Sequence, residues 1–247
     1  MYKFFVSTNQ IHNQYIKILG GDVKHISNVL RLHTSDRIII CNKDTSQSFV
    51  TEIIKIDKEC IDCKIIEQIT ESKETNINVD VFQGLPKFDK MELIIQKATE
   101  LGARAIYPVA FERCIVKLSG DSEKKKIERW QKISEVAAKQ SKRDIIPLVK
   151  SVINVEEICQ NIENYDIILL AYENEENNSI KYELQKLDKN KELSIGIIIG
   201  PEGGITNKEA EKLEKAGIKS VSLGKRILRT ETASLAILSD IIYEFEL

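Results

Sequence analysis

The chain has 247 residues, 42% hydrophobic and 30% charged, with a formal net charge of −2, the make-up of a folded globular protein of one large or two ordinary domains. Its start lacks the long apolar run of a signal peptide and no stretch approaches a membrane span, so a cytoplasmic protein without a membrane partner is expected. The five cysteines are odd in number and scattered, which reads as reduced thiols rather than a disulfide framework.

Residues 4–7, 37–41, 49–56 and Cys60–Ile69 are short runs rich in Ile, Val and Phe with polar turns between them, which predicts a small β-barrel interrupted by one helical patch at 23–32. Residues 70–76 have almost no apolar content and read as a linker, so two domains are expected, 1–70 and 77–247. From Ile77 onward strands alternate with helices. Strands are predicted at 79–84, 105–109, 166–172, 194–199 and 219–223, and helices at 89–101, 123–141, 179–187, 207–216 and 232–245. Such alternation argues for a mostly parallel sheet covered on both faces, an α/β fold.

Charge is unevenly placed. Residues 86–150 carry fifteen basic and nine acidic side chains, whereas residues 151–247 carry eleven and eighteen. A basic block within a slightly acidic chain fits a localised nucleic-acid footprint, although Lys124, Lys125 and Lys126 alone would equally make a solvated helix face.

The chemistry concentrates near the C-terminus. An apolar strand runs into Gly200-Pro-Glu-Gly-Gly204, and Thr206 with Glu209 has capping-box spacing for the helix that follows. A second strand ends near Leu223 and leads into a loop carrying Gly224, Arg226 and Arg229. Two glycine-bearing loops at the carboxyl ends of strands form a crevice of the kind that binds ligands in open α/β sheets. Neither loop has the spacing of a dinucleotide fingerprint or a phosphate loop. Cys60 and Cys63 resemble half a zinc site, but no second Cys/His pair stands at a useful spacing, so core cysteines and no metal are expected.

Several motifs together carry a family resemblance. They are Lys87-Phe-Asp-Lys-Met-Glu-Leu-Ile-Ile-Gln-Lys-Ala-Thr-Glu-Leu-Gly102, Glu112-Arg-Cys114, and Arg129-Trp-Gln-Lys-Ile-Ser-Glu-Val-Ala-Ala-Lys-Gln-Ser-Lys-Arg143. Ile199-Gly-Pro-Glu-Gly-Gly204, Leu223-Gly-Lys-Arg-Ile-Leu-Arg-Thr-Glu-Thr-Ala233 and, near the N-terminus, His25-Ile-Ser-Asn-Val-Leu-Arg-Leu-His33 complete the set. The chain resembles the RsmE family of 16S ribosomal RNA uracil-N3 methyltransferases, within the SPOUT (trefoil-knot) superfamily. The match spans nearly the whole chain. It departs at Ser35-Asp36, where the family often has Gly-Asp, and at Asn42-Lys-Asp44, where it commonly has Asp-Gly.

The resemblance implies an N-terminal PUA-like β-barrel, a knotted α/β domain, S-adenosyl-L-methionine as cofactor, the small ribosomal subunit as partner, and a homodimer. It places the cofactor among Leu170, Ala171, Tyr172 and Glu173, among Ile199, Gly200, Pro201, Glu202, Gly203 and Gly204, and among Leu223, Gly224, Ile227, Leu228, Arg229 and Thr230. Leu170, Leu223 and Leu228 would sandwich adenine. Arg229, with Arg226 beside it, would stabilise a uracil anion, and Glu231 is the carboxylate taken as catalytic, with Glu202 and Glu173 as other possible bases. Burial would raise the pKa of such a base. Arg31 in the barrel segment, and Arg129, Lys139 and Arg143 on the long basic helix, would contact RNA. Two competing readings are a knotted methyltransferase of tRNA or ribose and a non-catalytic RNA-binding assembly factor.

Overall fold

The computed structural model describes residues 1–247, and the chain divides into two compact units, Met1–Glu74 with Ala138–Ile146, and Thr75–Ala137 with Pro147–Leu247.

The first unit contains β1 (Lys3–Val6), β2 (Ile11–His12), β3 (Tyr15–Leu19), α1 (Gly21–Lys24) continuing as a π-helical turn over His25–Val29, β4 (Arg37–Asn42), β5 (Ser48–Ile56) and β6 (Cys60–Ile69). Their order is β1-β4-β5-β6-β3-β2, antiparallel except where β1 pairs with β4. Two register shifts between β5 and β6 bend this sheet, as β-bulges do, into an incompletely closed barrel. Its core is aliphatic, built on Ile16, Ile18, Ile26, Ile38, Ile40, Ile53 and Ile61. Alternation in β3 sends Ile16 and Ile18 inward and leaves Tyr15, Lys17 and Leu19 exposed.

The β2–β3 hairpin has no counterpart among the predicted strands. Its turn uses Asn13 at φ +53°, a conformation asparagine tolerates, and the polar stretch Asn9 to Gln14 conceals the two short strands. Cys63 is fully buried in the core and burial pushes its thiol up to about 12, while Cys60 is half-buried on the same strand. A thiol so hard to ionise is a poor metal ligand.

Residues 138–146 belong to this first unit through one polar knot. Asp144, 4% exposed, accepts hydrogen bonds from Lys3 Nζ, from Ser48 Oγ at 2.7 Å and from the Lys73 amide at 2.7 Å. Glu74 accepts from the Asp144 amide at 2.8 Å and pairs with Arg143 at 2.5 Å.

The second unit holds β7 (Ile77–Gly84), α2 (Lys90–Glu100), β8 (Ala103–Val109), most of α3 (Gly120–Ser141), β9 (Leu148–Val149), α4 (Val155–Gln160), β10 (Ile167–Ala171), α5 (Ile180–Leu184), β11 (Leu193–Ile199), α6 (Asn207–Lys215), β12 (Lys219–Val221) and α7 (Thr230–Phe245). All six strands are parallel, in the order β12-β10-β11-β7-β8-β9. The central strand β11 reads as a near-continuous apolar run, and β7 beside it is buried from Val79 to Gly84, with the polar Asp80 and Gln83 satisfied by hydrogen bonds, because helices cover both faces of the sheet. Trp130 packs into the same core from α3.

The chain leaves the sheet edge at β12, yet α7 packs against α2, β7 and β11 in the middle of the sheet. Buried hydrogen bonds hold it there. Gln83 Nε2 donates to Thr230 Oγ1 at 2.8 Å, Thr230 Oγ1 donates to the Gly200 carbonyl at 2.6 Å, and Ser234 Oγ donates to Gln83 Oε1 at 2.6 Å. Each of these buried polar atoms therefore has a partner, which removes the desolvation cost of placing them at the centre of the unit.

Candidate active site

Three loops leave the carboxyl ends of β10, β11 and β12 and enclose a cleft of about 850 Å³, within the usual size of small-molecule sites. One wall is Ala171 to Asn177, the second is Ile199 to Ile205, and the third is Val221 to Thr230. The turn at Gly200–Gly204 depends on glycine at two contacts. Gly204 has φ +70°, and a Cβ there would stand 2.8 Å from Glu173 Oε1. Gly84, at the end of β7, lies so close beneath the turn that a Cβ would be 2.6 Å from the Pro201 nitrogen.

Most of the residues expected at the cofactor line this cleft: Ala171, Tyr172, Glu173, Ile199, Gly200, Pro201, Glu202, Gly204, Leu223, Gly224, Ile227, Leu228, Arg229 and Thr230. Leu170 does not. It points into the sheet core, fully buried, because alternation along β10 turns it away from the cleft. Gly203 also faces elsewhere, with Arg113 packed against the position its Cβ would take. Sequence reasoning missed Glu175, Glu176, Asn177, Ser179, Ser222 and Lys90, all of which line the cleft. Lys90 had a usable signal, since it lies at the start of a helix that follows a central strand.

Lys90 ties the site together. Its Nζ is 3.0 Å from Glu202 Oε1 and 3.1 Å from Glu231 Oε2, so the starts of α2 and α7 and the glycine turn share one cation. Burial works against the charge on Glu231, but its own amide N–H and Lys90 hold the carboxyl below the usual carboxylate range. Glu202 is likewise held low against burial by its own amide, Lys90 and the Lys87 amide. The expectation that burial raises these carboxylates is overturned: both are kept ionised, because a neighbouring ammonium and donated N–H groups outweigh partial desolvation. Arg229 is the N-cap residue of α7, and it stands exposed on the same wall as Lys225 and Arg226.

The Glu112–Cys114 motif supports the turn from outside. Arg113 Nη1 donates to the Gly203 carbonyl at 3.1 Å, and the Glu112 amide donates to Glu209 at 2.8 Å. Glu209 completes the capping box with Thr206 that starts α6.

The residues expected to meet RNA are placed differently from one another. Arg31 is exposed with φ +54°. Arg129 is 61% exposed and pairs with Glu92 at 2.9 Å. Lys139 pairs with Asp22 at 2.9 Å and is mostly buried. Arg143 is 6% exposed in its pair with Glu74, so its guanidinium is spent on holding residues 138–146 in the first unit.

The family model of the RNA methyltransferase domain matches residues 73–242. The ribosomal RNA small subunit methyltransferase E of Bacillus subtilis is 41% identical, over 93% of this chain and 90% of that protein. The protein of the same name from Mesomycoplasma hyopneumoniae is 32% identical, over 98% and 99%. Among solved structures, the ribosomal RNA small subunit methyltransferase E of Neisseria gonorrhoeae, crystallised bound to S-adenosyl methionine, superposes with a TM-score of 0.86 at 29% identity, covering 98% of this chain and 97% of that one. The fold is thus the PUA-like barrel joined to a SPOUT trefoil-knot α/β domain. With the cleft at the carboxyl ends of β10, β11 and β12, and with matches that cover nearly the whole chain, this protein belongs to the RsmE family of ribosomal RNA small subunit methyltransferases.

Proposed function

We propose that this protein methylates N3 of a uridine in the 16S RNA of the small ribosomal subunit, with S-adenosyl-L-methionine as donor. The observation that carries this reading is the cleft itself, in which a glycine turn faces a loop bearing Lys225, Arg226 and Arg229. The donor fits that space. Leu223 and Leu228 supply apolar surface for adenine, and the Gly200–Gly204 turn brings backbone to the cleft wall to meet its polar edge. When bound, it supplies a methyl group activated by a sulfonium.

The chain's own residues must make the uracil a nucleophile. N3–H is a weakly acidic imide, and as its proton passes to solvent, negative charge spreads onto O2 and O4. The guanidinium of Arg229 can donate to one of these oxygens, and Arg226 adds a second positive charge on the same wall. Arg229 is therefore the catalytic residue. Glu231 and Glu202, both held ionised by Lys90, act as positioning residues that lock the turn against α7. Residues 77–247 carry the reaction, and residues 1–70 read RNA through exposed groups such as Arg31. Arg129 contributes a phosphate contact from α3, as does Lys139 once released from Asp22, while Arg143 holds structure. The protein works as a cytoplasmic homodimer, and Leu93 on α2 and Tyr243 on α7, both exposed, offer apolar surface for pairing.

The test is to incubate small subunits with the protein and donor and to map reverse-transcription stops in 16S RNA. Methylation at N3 blocks Watson–Crick pairing, so one stop that requires both protein and donor is expected. Methyl incorporation without a stop would mean ribose chemistry and would overturn the assignment of N3.

A further inference from the structure

Phe88 occupies an unusual position. It lies between β7 and α2 with φ +57°, a conformation that bulky side chains rarely adopt, and its ring is 87% exposed. Glycine would satisfy such a turn without strain. The other non-glycine residues with positive φ are polar: Asn13, Arg31, Ser35, Ser46 and Lys142. A large apolar ring held in a strained turn, with no core to fill, points to a use for the ring itself.

The surroundings say what that use is. The Lys87 amide donates to both oxygens of Glu202 at 3.2 Å, which ties the turn to the cleft wall. Lys90, two residues on, lines the cleft and pairs with Glu202. Arg113 grips the neighbouring Gly203 carbonyl. An exposed aromatic ring next in the chain to Lys87, in a turn tied to the cleft wall through Glu202, and with Arg113 holding the same glycine turn, combines a stacking platform with cations for a phosphate chain, the arrangement by which proteins hold single-stranded nucleic acid.

We infer that Phe88 stacks on an unpaired base of the RNA strand next to the target uridine and so positions that uridine over the cleft. This rests on the methyltransferase reading above. Three variants test it: Phe88→Gly, Phe88→Tyr and Phe88→Trp, each assayed with RNA and donor in single-turnover reactions. Phe88→Gly should raise the RNA concentration needed for half-maximal rate about tenfold, the scale of one lost stacking contact, while the rate at saturating RNA changes little. Its affinity for S-adenosylhomocysteine should stay unchanged, and its thermal stability should hold or rise, because glycine relieves the strained φ. Tyr and Trp should restore RNA affinity. In an oligonucleotide with 2-aminopurine beside the target, on either side in turn, the protein should quench fluorescence at one position, and Phe88→Gly should abolish the quenching.

Unchanged RNA affinity in Phe88→Gly would overturn the inference, as would an equal loss of affinity for S-adenosylhomocysteine. A shift in sedimentation on removing the ring would also overturn it, by making Phe88 a contact between copies of the chain. Failure of the unaltered protein to methylate RNA would instead refute the underlying reading.

Discussion

Arg229 stands where two demands meet, since it is the N-cap residue of α7 and part of the cleft wall. If its guanidinium stabilises charge that exists only as the uracil proton leaves, its loss should be felt in the transition state. Arg229→Ala is expected to lower the single-turnover methylation rate by roughly a hundredfold or more, with affinity for S-adenosylhomocysteine shifting far less. Arg229→Lys should recover part of the rate, because an ammonium keeps the charge but loses the fixed planar donors of the guanidinium. Parallel losses of rate and cofactor affinity, measured on the same variant, would make Arg229 a loop-shaping residue instead. The sequence placed Arg229 and Glu231 side by side, but not the ammonium of Lys90 that fixes the ionisation of Glu231. That pairing joins residues far apart in the chain, and no local pattern encodes it.

The elements that build the cleft depend on one backbone approach. Gly84 ends β7 directly beneath the glycine turn, and a methyl group there would sit 2.6 Å from the Pro201 nitrogen and 2.9 Å from the Gly200 carbonyl carbon. Both opposing atoms are backbone, so the turn itself must shift. Gly84→Ala should therefore destabilise the protein by about 1–3 kcal/mol, as overpacking does, and should weaken cofactor binding because the displaced turn forms a cleft wall. Gly21→Ala is the control, since nothing lies within 4 Å of its added Cβ. Urea denaturation together with calorimetric titration of S-adenosylhomocysteine measures both effects, and a fully stable Gly84→Ala protein with normal affinity would contradict them. Helices and central strands were readable from apolar periodicity, as in β11 and α6. Short edge elements such as β2, β9 and α4 were not, because two to six residues carry too little pattern to stand out from a loop.

At the scale of the molecule, residues 138–146 fold with the first unit although the chain before and after them builds the second. Asp144 is the centre of that attachment. Burial disfavours its charge, but Lys3, the Lys73 amide and Ser48 hold its carboxyl below the ordinary value of 3.8. The folded state therefore binds this proton less readily than the unfolded chain does. Its contribution is fully present above the unfolded pKa and is lost as pH falls through the lower, folded one. Asp144→Asn should cost roughly 3–5 kcal/mol near neutral pH, because it strands the buried Lys3 ammonium. The difference from the unaltered protein should narrow below about pH 4, where the unfolded chain begins to take up this proton while the folded protein does not. Urea unfolding of both proteins across pH 3 to 7 checks this, and a gap independent of pH would show that the charge on Asp144 is not what stabilises the fold.

By itself the sequence determined the α/β class, the position of four of the six barrel strands, the family, and most of the cleft-lining residues. These are local properties, set by the period of apolar residues, by glycine turns and by motifs that occupy contiguous stretches of chain. Tertiary structure alone decided that Leu170 faces the core, that Gly203 turns toward Arg113, that Arg143 is consumed by Glu74, and that Lys90 clamps Glu202 and Glu231. It alone decided that α7 returns from the sheet edge to the sheet centre. Each of these follows from which distant segments meet, and periodicity along the chain records which face of an element is buried but not what it is buried against.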